Sequence, residues 1–520
     1  MSHNNSSKKS GIAILEKVGK NSFFAAITTI GTAVAGLLTS ILLARYLGVE
    51  EYGKYSYLLW IVGIFAIFAN FGLPNTVIKY VSEFNARSSE LAQKFYRRII
   101  GFEIGVSVIC SLTIILWGIM KSEVSFFYLA AFLLIPQSIG RILSSVAHGL
   151  QKFEITAKIK LMVTPLQVGV LWLLLSSGRG VPEIVILLIV SEAIQCLFIR
   201  SAIDKLFHGD SITAKHEKVV WSKVFSFSSS IFFLTLLDAV VWQKSEVFFL
   251  KHFSSMEAVG IYSLGYGLTY MAMQVPITIT NVIFPVFSEA YGVDAQDVLR
   301  RGYYYSIKYL SLMLLPSVTL MVIVIPQIVL ILYGKEYVPA IAVMRILLVV
   351  SAVATIHRPI SSTLYSTENQ QYIIKITVFL ACCNIALDFI LIPTYGVIGA
   401  AFANGAVQVG SVVLGLIFIH NKFSYDYPVG ALLKISAGSL IVAIPFLALT
   451  KITNGWFFLL ISCLGYPILF CCCTYFIRPL TESTDRKIFA ILEKKAPLRY
   501  RKAVSLIQRC FVSEKTRGNR

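Results

Sequence analysis

Residues Leu58–Ala69 read LLWIVGIFAIFA, a run without a single charged side chain. A second apolar run, Leu320–Leu332, is interrupted only by Pro326 and Gln327. Strands of a membrane barrel alternate apolar and polar positions, so these continuous runs exclude a barrel. They predict helices, which satisfy their backbone amides internally as they cross a bilayer.

The composition extends this prediction to the whole chain. Hydrophobic residues make up 56% of its 520 residues and charged residues only 14%. Soluble domains have roughly a quarter of their residues charged, so much of this surface must face lipid. The predicted fold class is an all-α, polytopic membrane protein.

Apolar segments of about 20 residues, the length that crosses the hydrocarbon core, recur about fourteen times along the chain. The predicted spans are 22–47, 55–80, 97–120, 124–149, 156–176, 181–203, 224–250, 257–288, 303–332, 338–366, 371–393, 396–420, 430–450 and 455–477.

The distribution of basic residues predicts the orientation of these spans. The N-terminus, one set of linkers and the C-terminal tail hold about 30 of the 46 Lys and Arg residues, and the opposite linkers hold about 6. By the positive-inside rule, both termini are cytoplasmic and the chain lies in the plasma membrane. The net charge of +19 then reflects topology and attraction to anionic lipids. The basic residues are spread over many loops, which argues against a nucleic-acid binding surface.

The linkers and motifs argue against catalysis. No linker is long enough for a folded catalytic domain, and the sequence has no HExxH, GxSxG or P-loop motif. Eight of the nine cysteines lie within apolar spans, without the paired spacing of a metal site. We expect no enzyme, no cofactor and no metal centre.

Three short patterns occur twice in the same order, at offsets of 207, 206 and 217 positions. The small drift in offset indicates a duplicated unit of six spans. Because six is an even number, both copies have the same orientation in the membrane. The paired patterns are EEYGKYS at 50–56 with EAVGIYS at 257–263, Asn75…Ser82-Glu83 with Asn281…Ser288-Glu289, and RILSS at 141–145 before Lys158 with RPISS at 358–362 before Lys375.

The repeat predicts two parallel six-helix lobes plus two extra helices, an arrangement suited to alternating access. The predicted tail mixes apolar and basic residues, so we expect it to lie on the anionic inner leaflet; a binding surface for another pathway protein is the alternative. The predicted segments are a basic N-terminus at 1–21, an N-lobe at 22–205, a cytoplasmic linker at 206–223, a C-lobe at 224–422, two further spans at 430–477 and the basic tail at 478–520.

Several stretches resemble a known family. LLARYLGVEEYG at 42–53, followed by FGL at 71–73, resembles the opening of polysaccharide-biosynthesis flippases. LIPTYGVIGAA at 391–401 resembles the end of their second lobe. These flippases belong to the multidrug/oligosaccharidyl-lipid/polysaccharide exporter superfamily, with the Wzx-type O-antigen flippases nearest by pattern. The resemblance covers roughly residues 20–480.

This resemblance carries expectations about fold and activity. It implies fourteen helices in two six-helix lobes plus two, around a central cavity. It also implies movement of an undecaprenyl-diphosphate-linked oligosaccharide from the cytoplasmic to the outer leaflet.

Two arginines lie deep within predicted spans, where a cation costs about 2.5–3.5 kcal/mol and should face a cavity or a partner. The functional interpretation is a cationic pocket, open to the cytoplasm, that binds a diphosphate through the planar guanidinium groups. The structural alternative is that each arginine pairs with a carboxylate or caps helix carbonyls. The predicted substrate-binding residues are Arg141, Ser144 and Lys158 in the first copy and Arg358, Ser361 and Lys375 in the second.

Acidic residues within the spans are fewer, namely Glu103, Glu192, Asp238, Glu246 and Asp388. A buried carboxylate can take up a proton or a cation during a transport cycle. Asp238 and Asp388 are the predicted ion-coupling residues, and a fixed ion-pair role is the alternative for both.

The sequence therefore predicts a flippase for a lipid-linked oligosaccharide diphosphate. Anionic lipids are expected partners, and a polymerase or glycosyltransferase is a candidate protein partner. Three alternatives stay open: a multidrug or cation antiporter of the same superfamily, a peptidoglycan-precursor flippase, and a non-transporting scaffold of a glycan assembly complex. The excess of cations over acids within the spans argues against the antiporter.

Overall fold

A computed structural model of the chain describes residues 2–121, 124–207, 219–242, 245–280, 283–453 and 455–477. Within these ranges every regular element is helical, which confirms the all-α prediction. The α-helices are α1 (Ser2–Asn70), α2 (Leu73–Arg87), α3 (Ser89–Lys121), α4 (Val124–Gly149), α5 (Phe153–Ser176), α6 (Val181–Phe207), α7 (Trp221–Trp242), α8 (Glu246–Phe253), α9 (Met256–Thr280), α10 (Ile283–Gly292), α11 (Gln296–Leu332), α12 (Ala340–Ile356), α13 (Arg358–Ser366), α14 (Gln370–Phe423), α15 (Val429–Leu449) and α16 (Trp456–Ile477), with one 3₁₀ turn at Lys335–Tyr337.

Ten helical stretches in the described ranges are long and apolar enough to cross a membrane, or eleven if the bent pair α9–α10 is one span. The protein is thus a multi-pass membrane protein. The 54 residues of α14 would extend about 80 Å as a straight helix, far beyond the hydrocarbon core of about 30 Å. It bends at Gly396, and α1 bends at Gly48, both at the boundary between two predicted spans. The number fourteen stays a prediction.

Two predicted spans are divided by breaks between helices within the described residues. Proline explains both breaks, because a residue without a backbone N–H is best accommodated in the first turn of a helix. Pro74 and Pro359 occupy that turn in α2 and α13. The breaks divide the predicted spans 55–80 at residues 71–72 and 338–366 at residue 357.

The break between α1 and α2 is held by α7. Gly72 has φ 71°, and a Cβ atom there would lie 2.2 Å from the Ser228 carbonyl oxygen. Ser228 Oγ also donates a 2.6 Å hydrogen bond to the Phe71 carbonyl oxygen, which has left the helical ladder. Glycine is required here both for the left-handed backbone and for the close approach.

The chain divides into two compact units, Met1–Ser263 and Leu264–Arg520. The first has a core where α2, α3, α4, α6 and α7 meet, and it includes Val77, Phe95 and Ile142. The second has a core between α11, α15 and α16, where the Tyr466 hydroxyl donates to the Ser439 carbonyl oxygen at 2.9 Å. The boundary falls inside α9, because α7 and α8 pack with the first unit. The lobe boundaries drawn from the repeat stay predictions. The tail at 478–520, most of the linker at 206–223, and Asn281 lie outside the described residues.

The first pair of repeated segments forms a reciprocal contact. A Cβ atom on Gly53 would lie 1.9 Å from the Met256 carbonyl oxygen, and one on Gly260 would lie 2.3 Å from the Val49 carbonyl oxygen. Both glycines have a helical backbone, so their need for a bare Cα comes from this crossing alone. The two segments therefore approach backbone to backbone.

Gly53→Ala tests this crossing. The added methyl group must displace the start of α9, and overpacking of this kind costs about 1–3 kcal/mol. We expect a lower midpoint of thermal unfolding for the detergent-purified protein. Gly63→Ala is the matched control on the same helix, since nothing lies within 4 Å of its Cβ position. Equal melting midpoints for the two variants would contradict the close approach.

Candidate functional site

Helix α4 places Arg141 at the surface of the first unit. The next two residues, Ile142 and Leu143, are 0% and 1% exposed and anchor the helix in the core. Arg141 itself is exposed, and Ser144, one turn further on, is half-buried. Two of the predicted substrate-binding residues, Arg141 and Ser144, are therefore at least partly accessible.

Two carboxylates act electrostatically on Arg141, namely Glu192 on α6 and Glu103 on α3. Neither makes a direct ion pair with the guanidinium in the described part of the chain. Glu103 is fully buried, and its Oε1 accepts a 3.4 Å hydrogen bond from Ser107 Oγ. The structural alternative was that a carboxylate neutralises the arginine. For Arg141 this interaction exists only at a distance longer than that of an ion pair.

Lys160 on α5, which was not among the site residues predicted from the sequence, interacts electrostatically with one of these carboxylates. Its charge acts on Glu192 and on His148, whose Nε2 lies 3.1 Å from Thr156 Oγ1. Lys158, which the repeat pattern selected, is exposed, whereas Lys160 is half-buried. Two residues apart, these side chains leave α5 on nearly opposite sides. To choose between Lys158 and Lys160, the sequence would have had to show which side of α5 faces α6.

In the second unit Arg358 begins α13 directly after the helix break. Its Nη1 donates a 3.4 Å hydrogen bond to Thr280 Oγ1 at the end of α9. Ser361 and Lys375 are both exposed. Arg358 therefore lies at a helix N-terminus, which favours an anion, whereas Arg141 lies inside a continuous helix. The repeated RILSS and RPISS segments therefore differ in backbone structure, since the first lies within a helix and the second begins one.

The break beside Arg358 is fixed by a contact that the sequence did not reveal. His357 Nδ1 lies 2.7 Å from the Val353 carbonyl oxygen, so this nitrogen carries the proton. Nε2 then accepts a hydrogen bond from the Tyr427 hydroxyl, and the two rings stack. Burial raises the pKa of Tyr427, in the loop before α15, to about 12. The hydroxyl therefore remains a donor throughout the physiological pH range.

The same loop is tied to α11. Asp426 accepts a 2.5 Å hydrogen bond from Arg300 in an exposed ion pair. The Tyr425 ring lies 5.7 Å from the ring of Tyr303. A cavity of about 540 Å³ opens beside the ion pair, between α11 and the loop. The loop before α15 therefore contacts both α11, through Asp426, and His357, through Tyr427.

The two predicted ion-coupling residues have different environments. Asp388 is 0% exposed and accepts a 3.4 Å hydrogen bond from Asn384 Nδ2, one turn earlier on α14. Asp238 on α7 is exposed. A buried carboxylate with an amide neighbour suits uptake of a proton or small cation, so Asp388 has the stronger physical case.

These side chains suit binding rather than bond breaking. Cations and hydroxyl groups on apolar helices can hold an anionic head group by charge-assisted hydrogen bonds. Within the described residues no group of three or more His, Cys, Asp or Glu is arranged to hold a metal ion. The cationic and hydroxyl side chains named above are of the types that bind negatively charged groups.

Tyr427→Phe tests the contact that fixes the break. The ring stays, but the hydrogen bond to His357 is lost, at a cost of about 0.5–1.5 kcal/mol. We expect a lower midpoint of thermal unfolding. Tyr395→Phe is the control, because this tyrosine is 66% exposed. Tyr427→Phe melting no earlier than Tyr395→Phe would refute the assignment.

Comparison with known proteins identifies the fold. The chain is similar to a solved structure titled "Lipid II flippase MurJ, inward closed conformation", with a TM-score of 0.66, 18% identity, and coverage of 87% of this chain and 98% of that one. It is also similar to an inward-facing multidrug resistance MATE family transporter of the MOP superfamily, with a TM-score of 0.61, 14% identity, and coverage of 77% and 98%.

Sequence relatives agree with these structures. A curated protein named "Probable low-salt glycan biosynthesis flippase Agl15", from Haloferax volcanii, is 23% identical over 402 residues, which is 77% of this chain and 83% of that protein. The family "Lipid II flippase MurJ" matches residues 247–466. The family "Polysaccharide biosynthesis protein" matches residues 18–291, more than half of the chain. The resemblance found in the sequence is confirmed: the chain belongs to the polysaccharide biosynthesis protein family and has the fold of the MOP transporter superfamily.

Proposed function

We propose that this protein is a flippase for a lipid-linked glycan. The observation that carries the proposal is the presence of an accessible arginine within the apolar helices of each unit, Arg141 in one and Arg358 in the other. A membrane-embedded cation is costly unless it serves an anionic partner. The flippase named among the sequence relatives supports the same function.

The proposed substrate is an undecaprenyl-diphosphate-linked oligosaccharide. A diphosphate is the anionic part of such a molecule, and arginine binds its oxygens in pairs. Ser144 and Ser361 add hydroxyl donors, and the exposed Lys158 and Lys375 add further cationic contacts. We assign these residues to binding and none to catalysis.

The proposed mechanism is alternating access, with the glycan passing from the cytoplasmic to the outer leaflet. Both termini lie in the cytoplasm in this scheme, as the loop charges predict. The basic tail at 478–520 then lies on the anionic inner leaflet. A polymerase or a glycosyltransferase of the same pathway is the proposed protein partner.

A second candidate function is transport of a peptidoglycan precursor. The match of residues 247–466 to the lipid II flippase family favours it, and the diphosphate logic is the same for both substrates. The cation antiporter shares the fold but needs an anionic site. Competition between lipid-linked glycans of different sugar composition, measured with one reconstituted preparation, separates the two flippase functions.

Replacement of the arginines tests the proposal. In proteoliposomes that contain a fluorescent lipid-diphosphate oligosaccharide, we expect Arg141→Ala and Arg358→Ala each to slow translocation at least about tenfold. This corresponds to loss of one charge-assisted hydrogen bond, worth about 1.5–3 kcal/mol. The double variant should be slower still.

Arg179→Ala is the control for these variants, because Arg179 lies in an exposed loop and pairs with Glu183. It should translocate at the wild-type rate. Normal translocation by a folded double variant would instead favour the non-transporting scaffold.

Asp388→Asn tests ion coupling. A neutral amide cannot exchange a proton and binds cations weakly, so we expect translocation to lose its response to an imposed pH or sodium gradient. Asp238→Asn, measured in the same vesicles, reports whether the exposed acid contributes. A gradient response unchanged in both variants would remove both residues from the coupling mechanism.

A further inference from the structure

A charged cavity of the second unit lies where two helices long and apolar enough to cross a membrane, α11 and α15, begin. Its volume of about 540 Å³ is within the range of small-molecule sites, roughly 300–1,000 Å³. On α11 it is lined by side chains between residues 297 and 305, and the following stretch 309–332 has no charged side chain. Helix α15 begins just after the loop on the other side. The cavity therefore lies at the edge of the apolar layer, at the level of the lipid head groups.

Two contacts hold the loop that forms one wall of this cavity. The Arg300 guanidinium donates a hydrogen bond to Asp426 Oδ2 at 2.5 Å. The Tyr427 hydroxyl donates to His357 Nε2, and the two rings stack. Neighbouring residues of the loop are thus attached to two different helices or helix ends, so the cavity is formed without a ligand.

The charges that line the cavity differ in how far they are satisfied. Arg300 and Asp426 form an ion pair with each other. Asp297 lies in the first turn of α11, where the helix dipole favours a carboxylate. Arg301 is exposed and lines the same cavity. It makes no hydrogen bond, ion pair or cation–π contact with any residue in the described part of the chain, so it is available to an anion.

Two tyrosines and a buried lysine favour an anion at this place. Tyr304 and Tyr305 line the cavity, and Lys308 Nζ lies 5.8 Å and 5.5 Å from the centroids of their rings. Lys308 is 1% exposed, so its charge is screened less than a surface charge. Together, Arg301 and Lys308 outweigh the single charge of Asp297. The tyrosine rings are also of the amphipathic type found at the head-group level of membranes.

We propose that this cavity binds the phosphate of an anionic phospholipid of the surrounding membrane through Arg301, and that the bound lipid stabilises the helix break next to Arg358. The planar guanidinium can donate to two phosphate oxygens at once. The uncharged stretch of α11 beyond the cavity accommodates the acyl chains. The lipid is a resident partner rather than cargo, so its binding does not depend on which glycan the protein carries.

The effect on the helix break follows from the double role of Tyr427. Its side chain lines the cavity, and its hydroxyl donates to His357, the residue directly before Arg358 and α13. A head group that packs against Tyr427 restricts the motion of the loop and thereby the start of α13. The lipid therefore acts on Arg358 without contacting it.

Lipid binding to the full chain tests the site. Phospholipids are added to the detergent-purified protein, and native mass spectrometry measures the bound fraction. We expect phosphatidylglycerol to bind at least about tenfold more tightly than phosphatidylcholine, whose ammonium group opposes a cationic site. By mass action it should also raise the midpoint of thermal unfolding. Arg301→Met should weaken phosphatidylglycerol binding about tenfold, because a charge-assisted hydrogen bond is lost, and Arg301→Lys should restore part of it.

Lys335→Met is the matched control, because Lys335 is exposed just beyond the opposite end of α11 and the variant loses the same charge. It should bind phosphatidylglycerol as the wild type does. Hydrogen exchange tests the effect on the break. Phosphatidylglycerol should slow amide exchange in α13 of the wild type. The slowing should be absent in Tyr427→Phe, which keeps the ring and loses the hydrogen bond to His357.

Several results would overturn the inference. Equal binding of the two phospholipids, or equal effects of Arg301→Met and Lys335→Met, contradicts the site. Inorganic phosphate that raises the unfolding midpoint as much as phosphatidylglycerol does would show that no lipid is required. Undecaprenyl diphosphate that displaces phosphatidylglycerol from the wild type, but not from Arg301→Met, would show a site for cargo. Slowed exchange in Tyr427→Phe equal to that of the wild type contradicts the effect on the break.

Discussion

The structure depends on one constraint: within lipid, a backbone amide or carbonyl group must find its partner inside the protein. Helices meet this demand along most of the described chain, so each departure from helical geometry needs a local substitute. At the break after α1, Ser228 Oγ donates to the Phe71 carbonyl oxygen. At the break before α13, the His357 side chain bonds the Val353 carbonyl oxygen. These breaks divide spans that would otherwise be uniform and place polar groups at fixed points along them.

The same low-dielectric surroundings make each embedded charge informative. Asp388 is buried beside an amide, Arg358 begins a helix and reaches a threonine, and Arg141 faces two carboxylates at long range. These are three different ways to lower the cost of an ion. Only groups that stay accessible can exchange a protein partner for a ligand, so the exposed Arg141 and Arg358 are better placed to meet a ligand than the buried Asp388.

Much of the fold could be predicted from the sequence, and less of the site. Continuous apolar runs such as 58–69 leave helices as the only option, and Gly48 and Gly396, at the boundaries between predicted spans, mark where long helices bend. The sequence also singled out Arg141 and Arg358 as candidates because a cation in an apolar run is conspicuous. The electrostatic interaction of Lys160 with Glu192 could not be predicted, because it depends on which helix packs beside α5. The contact of His357 with Tyr427 joins residues 70 positions apart, and no local pattern encodes it.

The crossing of Gly53 and Gly260 has an evolutionary consequence. Each glycine meets the backbone of the other segment at the corresponding position, Met256 or Val49. Contacts of this reciprocal kind are characteristic of an isologous interface between two identical subunits. A side chain gained on either segment would strike the main chain of the other, which no compensating side-chain change can move aside. Substitution at either glycine is therefore restricted by the backbone of the other segment, whereas the neighbouring loops and charged residues are free to change.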